Sequence, residues 1–428
     1  MANERWSVLA LAHPRSPWCA ALGRWSTSAA IPVELVRCVS ATEVRARLAS
    51  GVRSSALVVD AGVVGLDRDL VDAAREVGCT TLVVEDHTVS RDLASLGAAG
   101  SLPGDFGRDD LLAILSAHAA PVAAGGELPG PVAAASSEPG GDGRLVAVCG
   151  PGGTGSSVVA MALTQRLAAG TGPGSVVLAD LALHADLAML CGAGDVMPAL
   201  PELVEAFRHT TPTDAEIRDV TFAVDAANHD LLLGLRRHRD WAALRPRAVS
   251  AAVGGLRRAY GWVVADTDAD VEGEAECGSV EVEERNVLAR SAVLAADAVV
   301  VVGGADTKGV HALVRCVAEL AGAGVAADRI VPVCNRAPRS PRQRAEVTAA
   351  VGSLTRAVGG GLCAPVFLPD KRSVEAALRD GARLPTAIGD PVHRAVEAVI
   401  ARAASTPTGT DEPVPIAAGS LGAWADVG

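Results

Sequence analysis

The stretch Arg144–Ala168, "RLVAVCGPGGTGSSVVAMALTQRLA", decides the fold. An unbroken apolar run, Leu145 to Cys149, is followed by glycines at 150, 152, 153 and 155, then by Val, Ala, Met and Leu at helical spacing. Such a run suits a strand covered on both faces. The glycines permit a tight turn whose N–H groups converge on an anion at the N-terminus of the next helix. The spacing therefore predicts strand, anion-cradling loop and helix. Gly150, Gly152 and Gly155 satisfy G-x-G-x-x-G, the dinucleotide fingerprint. Gly150 and Gly155, followed by Ser156 and Ser157, also satisfy G-x-x-x-x-G-K-[ST] with serine in place of lysine. Asp180 ends the next apolar run and serves either reading, as a ribose ligand or as an acid near metal or water.

Further apolar runs recur downstream: "SVVLAD", "DLLLGL", "WVVAD", "AVVVVGG", "RIVPVCN" and "APVFLP". They predict an α/β unit over 144–404, with a doubly wound, mostly parallel sheet and ligands at the carboxyl ends of its strands. Residues 5–118 alternate shorter runs, "VLALA", "VELVRCV", "ALVVD", "TTLVVE" and "GSLP", with helical patterns starting near Pro17, Thr42, Asp67, Ser90 and Arg108. Five β–α repeats predict a flavodoxin-like domain. It resembles a response-regulator receiver (CheY-like), with Asp60 at the phosphoacceptor position. The receiver's acidic pair is missing from "ALAHPRSP", and Gly104 in "SLPGDF" stands where its lysine belongs. Without those charges phosphoryl transfer lacks neutralisation, so Asp60 is a pseudo-phosphoacceptor. The expected organisation is a pseudo-receiver over 1–118, a flexible Pro/Gly/Ala/Ser-rich linker over 119–143, the second unit over 144–404 and a disordered acidic tail over 405–428.

Composition narrows the function classes. Hydrophobic residues make up 49% of the 428 and aromatics only 3%, so the cores must be built from Ala, Val and Leu. A net charge of −12 argues against nucleic acid as a partner. The nine cysteines include no C-x-x-C pair, which suits free thiols, and Cys149, Cys334 and Cys363 read as core residues. No signal peptide and no uninterrupted apolar span of about 18 residues is evident, so a soluble, cytoplasmic protein without a transmembrane segment is expected.

Asp266 closes "YGWVVAD" at the position of a Walker B acid. "RIVPVCNRAPR" ends a strand with Asn335 and Arg336, and "VFLPDKRSVEAALRDGARLP" follows. This ordered series resembles the MinD/ParA family of deviant Walker-A ATPases. Joined to a receiver-like domain it is similar to the CpaE/TadZ branch. "DTDADVEGEAECGSVEVEERN" resembles the actinobacterial septum site-determining (Ssd) proteins. The resemblance implies an ATP site in which Gly150, Gly152, Gly153, Thr154, Gly155, Ser156 and Ser157 cradle phosphates. Ser157 and Asp266 would hold Mg²⁺, Asn335 would contact adenine, and Arg336 and Pro369 would lie near the base. Asp180 matches the acid after the second strand, with Ala182 where the family often has a second one.

The departures from the family loop, K-G-G-x-G-K-[ST], remove charge. Pro151 replaces the signature lysine and Ser156 the lysine that touches the β- and γ-phosphates. Each lost charge-assisted hydrogen bond costs roughly 1.5–3 kcal/mol, and two weaken binding by ~10²–10⁴. ATP or ADP with Mg²⁺ is therefore expected to bind weakly or not at all, with hydrolysis near zero. The favoured reading is a non-enzymatic or weakly nucleotide-responsive localisation and regulatory protein. It would act by protein contacts in a Tad/Flp-type pilus or secretion machine or at a division septum, as a homodimer through its second domain. Partners would recruit it to the pole, septum or inner membrane face. One alternative is a weak ATPase switch aided by Lys308. Another is an NAD-binding oxidoreductase, against which stands the lack of a Tyr-x-x-x-Lys arrangement around Tyr260, the only tyrosine.

Three further stretches carry expectations. "RRHRDWAALRPR" (236–247) reads as a solvated basic face, with docking of an acidic partner as the alternative. "GDVMPALPELVEAFRH" (194–209) reads as core, with partner contact as the alternative. The amphipathic helix from Pro391 to Ala404 lacks the basic face and bulky anchors of a membrane-surface helix.

Overall fold

Valine- and leucine-rich runs bury both faces and bond along both edges, and here they build two sheets. The structure, a computed structural model, describes residues 5–13, 16–28, 30–51, 53–85, 95–122, 143–358 and 360–405. The helix expected near Ser90, residues 123–142 of the expected linker, and the tail from 406 lie outside the described residues.

The first sheet holds β1 (Trp6–Leu11), β2 (Val33–Cys38), β3 (Ala56–Asp60), β4 (Thr80–Val84) and β5 (Gly100–Leu102), in the order β2-β1-β3-β4-β5 and parallel throughout. That order is flavodoxin-like. Helices α1 (Pro17–Thr27) and α4 (Arg108–His118) cover one face and bury Trp18, Leu22, Leu111 and Leu115. Helices α2 (Ala41–Ala49) and α3 (Arg68–Glu76) cover the other, with Val44, Leu48, Leu70 and Val71. Asp67 starts α3 by accepting from the Leu70 N–H.

The second sheet holds β6 (Arg144–Cys149), β7 (Val176–Leu181), β8 (Phe222–Val224), β9 (His229–Leu232), β10 (Trp262–Thr267), β11 (Ala298–Gly304), β12 (Ile330–Ala337) and β13 (Val366–Pro369). Their order is β13-β12-β11-β6-β10-β7-β9-β8, and every pairing is parallel except β8 with β9. Strand β8 has no sequence signal, because three residues are too few to show a period. On one face lie α5 (Ser156–Ala168), the short α6 (Leu187–Leu190) and the long Thr386–Ser405 helix. On the other lie α7 (Leu200–His209), α8 (Asp214–Arg218), α9 (Pro246–Ala259) and the Val287–Ala295 and Thr307–Gly322 helices.

Two expectations need correction. The terminal helix begins at Thr386, not Pro391, so the proline sits inside it. Burial of Ile388, Val392, Val396 and Val399 offsets the hydrogen bond that proline removes. Gly389 also fits against α5 where a Cβ would lie 2.4 Å from the Ala162 carbonyl oxygen. Cys149 and Cys334 are buried, but Cys363 is only half-buried, because it stands in the loop before β13 and not in a strand. Among the described residues no helix is long and apolar enough to cross a membrane.

Candidate functional site

Strand β6 lies between β10 and β11, so chain order reverses at its carboxyl end, and the 150–155 loop emerges there. A Cβ on Gly150 would lie 2.2 Å from the Val302 carbonyl oxygen of β11, so only glycine permits the loop to leave the sheet at that point. Gly155 begins α5 with φ +88°, and a Cβ there would lie 2.7 Å from Asn335 Nδ2. Gly152 has open space around it, which leaves room for a ligand against the backbone. Within the loop Thr154 Oγ1 donates to the Pro151 carbonyl at 2.7 Å. Asn335 Nδ2 donates to the Thr154 carbonyl at 2.9 Å, so the end of β12 holds the loop in place. No side chain caps the N-terminus of α5, and its first N–H groups remain for an anion.

Asp180 on β7 and Asp266 on β10 are register partners, side by side at the strand ends. Asp180 is fully buried and Asp266 is 3% exposed. Asp180 accepts from the N–H groups of Ala182 (3.3 Å) and Leu187 (2.9 Å), which shapes the turn after β7. Burial, with Asp266 next to it, pushes the Asp180 carboxyl well above the usual range. Burial pushes Asp266 up to about 7, against a hydrogen bond from the Ser157 side chain that favours its charged form. Among the described residues neither carboxylate forms an ion pair with an arginine or lysine, and the Asp180 oxygens accept from backbone N–H groups. These are acids stripped of water and left without a counter-charge.

Beside the loop lies a cavity of about 210 Å³ whose walls include Gly155, Asn335, Arg336 and Pro369. The structure thus brings together the residues expected near the base. Arg336 adopts φ +50°, a left-handed conformation rare for a side-chain-bearing residue, and its N–H donates to Asn335 Oδ1 at 2.8 Å. The same cavity is lined by Lys371 and Arg372, which the sequence reading missed. Their signal was adjacency: they follow the strand end at Pro369 with only Asp370 between. Lys308 instead stands exposed in the first turn of the Thr307–Gly322 helix and does not line that cavity.

The donor set fits Mg²⁺ only in part. Ser157 stands in the first turn of α5 and its side chain favours the charged form of the buried Asp266, the relation that a hydroxyl and a carboxylate sharing an ion would need. Among the described residues no group of three or more His, Cys, Asp or Glu side chains is placed to hold a metal ion. The remaining positions around Mg²⁺ would have to come from phosphate and water. The ion would supply charge neutralisation there; Ser157 and Asp266 would hold it, and the loop N–H groups would orient the phosphate.

The strand-end acid of the first sheet is built differently. The Asp60 carboxylate accepts from the His13 N–H (2.6 Å), the Trp18 indole N–H (2.5 Å) and the Ser16 hydroxyl, and the residue is 9% exposed. Both oxygens are engaged by neutral donors from the β1–α1 connection and α1.

No family model and no curated protein matches the chain. Solved structures do. Its structural neighbours are MinD/ParA-family ATPases. The ParA family ATPase from Chlorobium tepidum TLS is 15% identical with a TM-score of 0.44, over 61% of this chain and 98% of that one. The septum site-determining protein MinD complexed with Mg-ADP from Pyrococcus horikoshii OT3 is 20% identical with a TM-score of 0.41, over 62% and 97%. A signal receiver domain from Mycobacterium tuberculosis is 17% identical with a TM-score of 0.22, over 27% and 93%. These are likenesses of fold alone.

Proposed function

We propose that this protein is a localisation or regulatory factor with at most a weak response to nucleotide, not a turnover enzyme. It is CpaE/TadZ- and Ssd-like, with a pseudo-receiver over 1–118 joined through 119–143 to a degenerate P-loop domain over 144–404. It acts through protein contacts, as a homodimer, in positioning a pilus or secretion machine or a division septum. One observation carries the reading: a glycine loop with open backbone leads into α5 near two buried carboxylates, and the loop itself has no cation, so we read it as a phosphate cradle without its charge. Backbone N–H groups can attract an anion. A transition state that gathers negative charge needs positive partners as well, and the loop has none to offer.

A second reading, a slow ATP switch, is favoured by Lys371 on the cavity wall, since that lysine can pair with anionic ligand groups that Ser156 no longer holds. Calorimetry on the full chain with Mg-ATP, Mg-ADP and NAD tests both. The proposal expects weak adenine-nucleotide binding that is lost in Gly155→Asp, with no phosphate release. Steady phosphate release, at any rate above the background of Gly155→Asp, would overturn it in favour of the switch. Preference for NAD would return the loop to the dinucleotide reading.

A further inference from the structure

The two sheet units meet through helices, and the contact is reciprocal. Arg68, the first residue of α3, reaches the end of α7: its Nε donates to the Phe207 carbonyl at 3.0 Å and its Nη2 to the Thr210 carbonyl at 3.3 Å and Thr211 Oγ1 at 2.8 Å. Arg208 in the last turn of α7 reaches back: its Nε lies 3.1 Å from Asp67 Oδ2. The Asp67 side chain is 1% exposed; its other oxygen caps α3 and pairs with Arg45 at 2.8 Å. Each arginine therefore satisfies the helix end of the other unit, a cation at orphan carbonyls in one direction and at a buried N-terminal acid in the other. Two more contacts flank the exchange. The Arg247 N–H at the start of α9 donates to Asp69 Oδ1 at 3.2 Å, and its guanidinium pairs with Glu76. Of the basic run 236–247 only Arg247 takes part; Arg236, Arg237, Arg239 and Arg245 stand exposed, as a solvated face would.

The helix that carries Arg208 also leads to the candidate site. The chain runs from Asp180 through a segment that exposes Met189, Val196 and Met197 and enters α7 at Leu200, whose N–H donates to the Leu233 carbonyl at 2.7 Å. Helix α7 is seated without slack. A Cβ on Gly255 of α9 would lie 2.1 Å from the ring tip of Phe207, so α7 cannot shift along α9 without lifting that ring.

We propose that the receiver-like unit is an intramolecular regulator, docked on the P-loop-type unit by arginine exchange between α3 and α7. In this role α7 links the dock to the 182–199 segment beside Asp180. The inference goes beyond localisation and does not require that nucleotide bind.

Hydrogen exchange on the full chain tests it. In Arg208→Glu the dock opens, and amides of α3 and of 182–199 exchange at least tenfold faster while β6 and β10 keep their protection. Gly255→Ala, which pushes α7 from below, loosens the same two segments. If Arg208→Glu also exposes β6 and β10, the outer pair supplies the answer instead. Arg247→Glu then loosens α3 and 182–199, and Glu76→Arg with Arg247→Glu restores them. Unchanged α3 exchange in both Arg208→Glu and Arg247→Glu overturns the dock. A loosened α3 with an unchanged 182–199 segment overturns the link through α7.

Discussion

Asp60 and Asp266 both stand at the carboxyl end of a central strand of a parallel sheet. Their surroundings differ. Among the described residues an indole, a hydroxyl and a backbone N–H take up the Asp60 carboxylate, which becomes a structural tie between β3 and α1. Asp266 is buried next to Asp180, and burial, with Asp268 and Asp186 nearby, pushes its carboxyl up to about 7 against the Ser157 side chain. A strand-end acid can thus be accommodated in two ways. One turns it into packing. The other keeps an electrostatic vacancy that a cation, a proton or a phosphate-borne metal can occupy.

That contrast predicts opposite responses to removing the acid. Asp60→Ala strands three donors and should cost about 3–5 kcal/mol, read as a lower urea midpoint. A cost below about 1 kcal/mol would mean that the tie is not structural. Asp266→Asn should do the reverse. The folded state raises this carboxyl above its unfolded value near 3.8, so folding takes up a proton. The associated stability is complete below about pH 4 and is lost as pH rises through about 7. At pH 8 the asparagine variant should therefore be more stable than the parent by on the order of 3 kcal/mol, with a flatter stability profile between pH 4 and 8. A profile that instead rises with pH in both proteins would show the acid to be compensated after all.

Smaller effects sharpen the comparison. Ser156→Lys returns one cation to the loop and should tighten Mg-ATP about tenfold to a hundredfold in calorimetry, at ~1.4–3 kcal/mol for one charge-assisted bond. No gain would place the defect elsewhere, Pro151 being the first suspect. Trp18→Phe removes a single donor from Asp60 and should cost about 1–2 kcal/mol, well short of Asp60→Ala, in the same urea titration.

Much of this architecture was legible in the residues. Long apolar runs marked seven of the eight strands of the large sheet, and turn glycines marked the loop. What escaped was short or relational. Strand β8 is three residues and gains its edge place only by pairing with β9. The early start of the terminal helix at Thr386 is hidden by Pro391, because propensity argues against it and only burial on α5 outweighs that. Lys371 and Arg372 belong to the cavity because β13 returns next to β12, a neighbour far away in sequence.

The sequence by itself determined the order of strands and helices, the glycines that let the loop turn, and the absence of lysine within it, since each is a local property of composition and spacing. Tertiary structure alone decided that Asp180 and Asp266 share a register, that Asp60 accepts from donors of the β1–α1 connection and α1, and that Arg68 and Arg208 each bond across to the other unit. Burial, pairing and the protonation they impose depend on which distant segments fold against one another, and no local pattern records that choice.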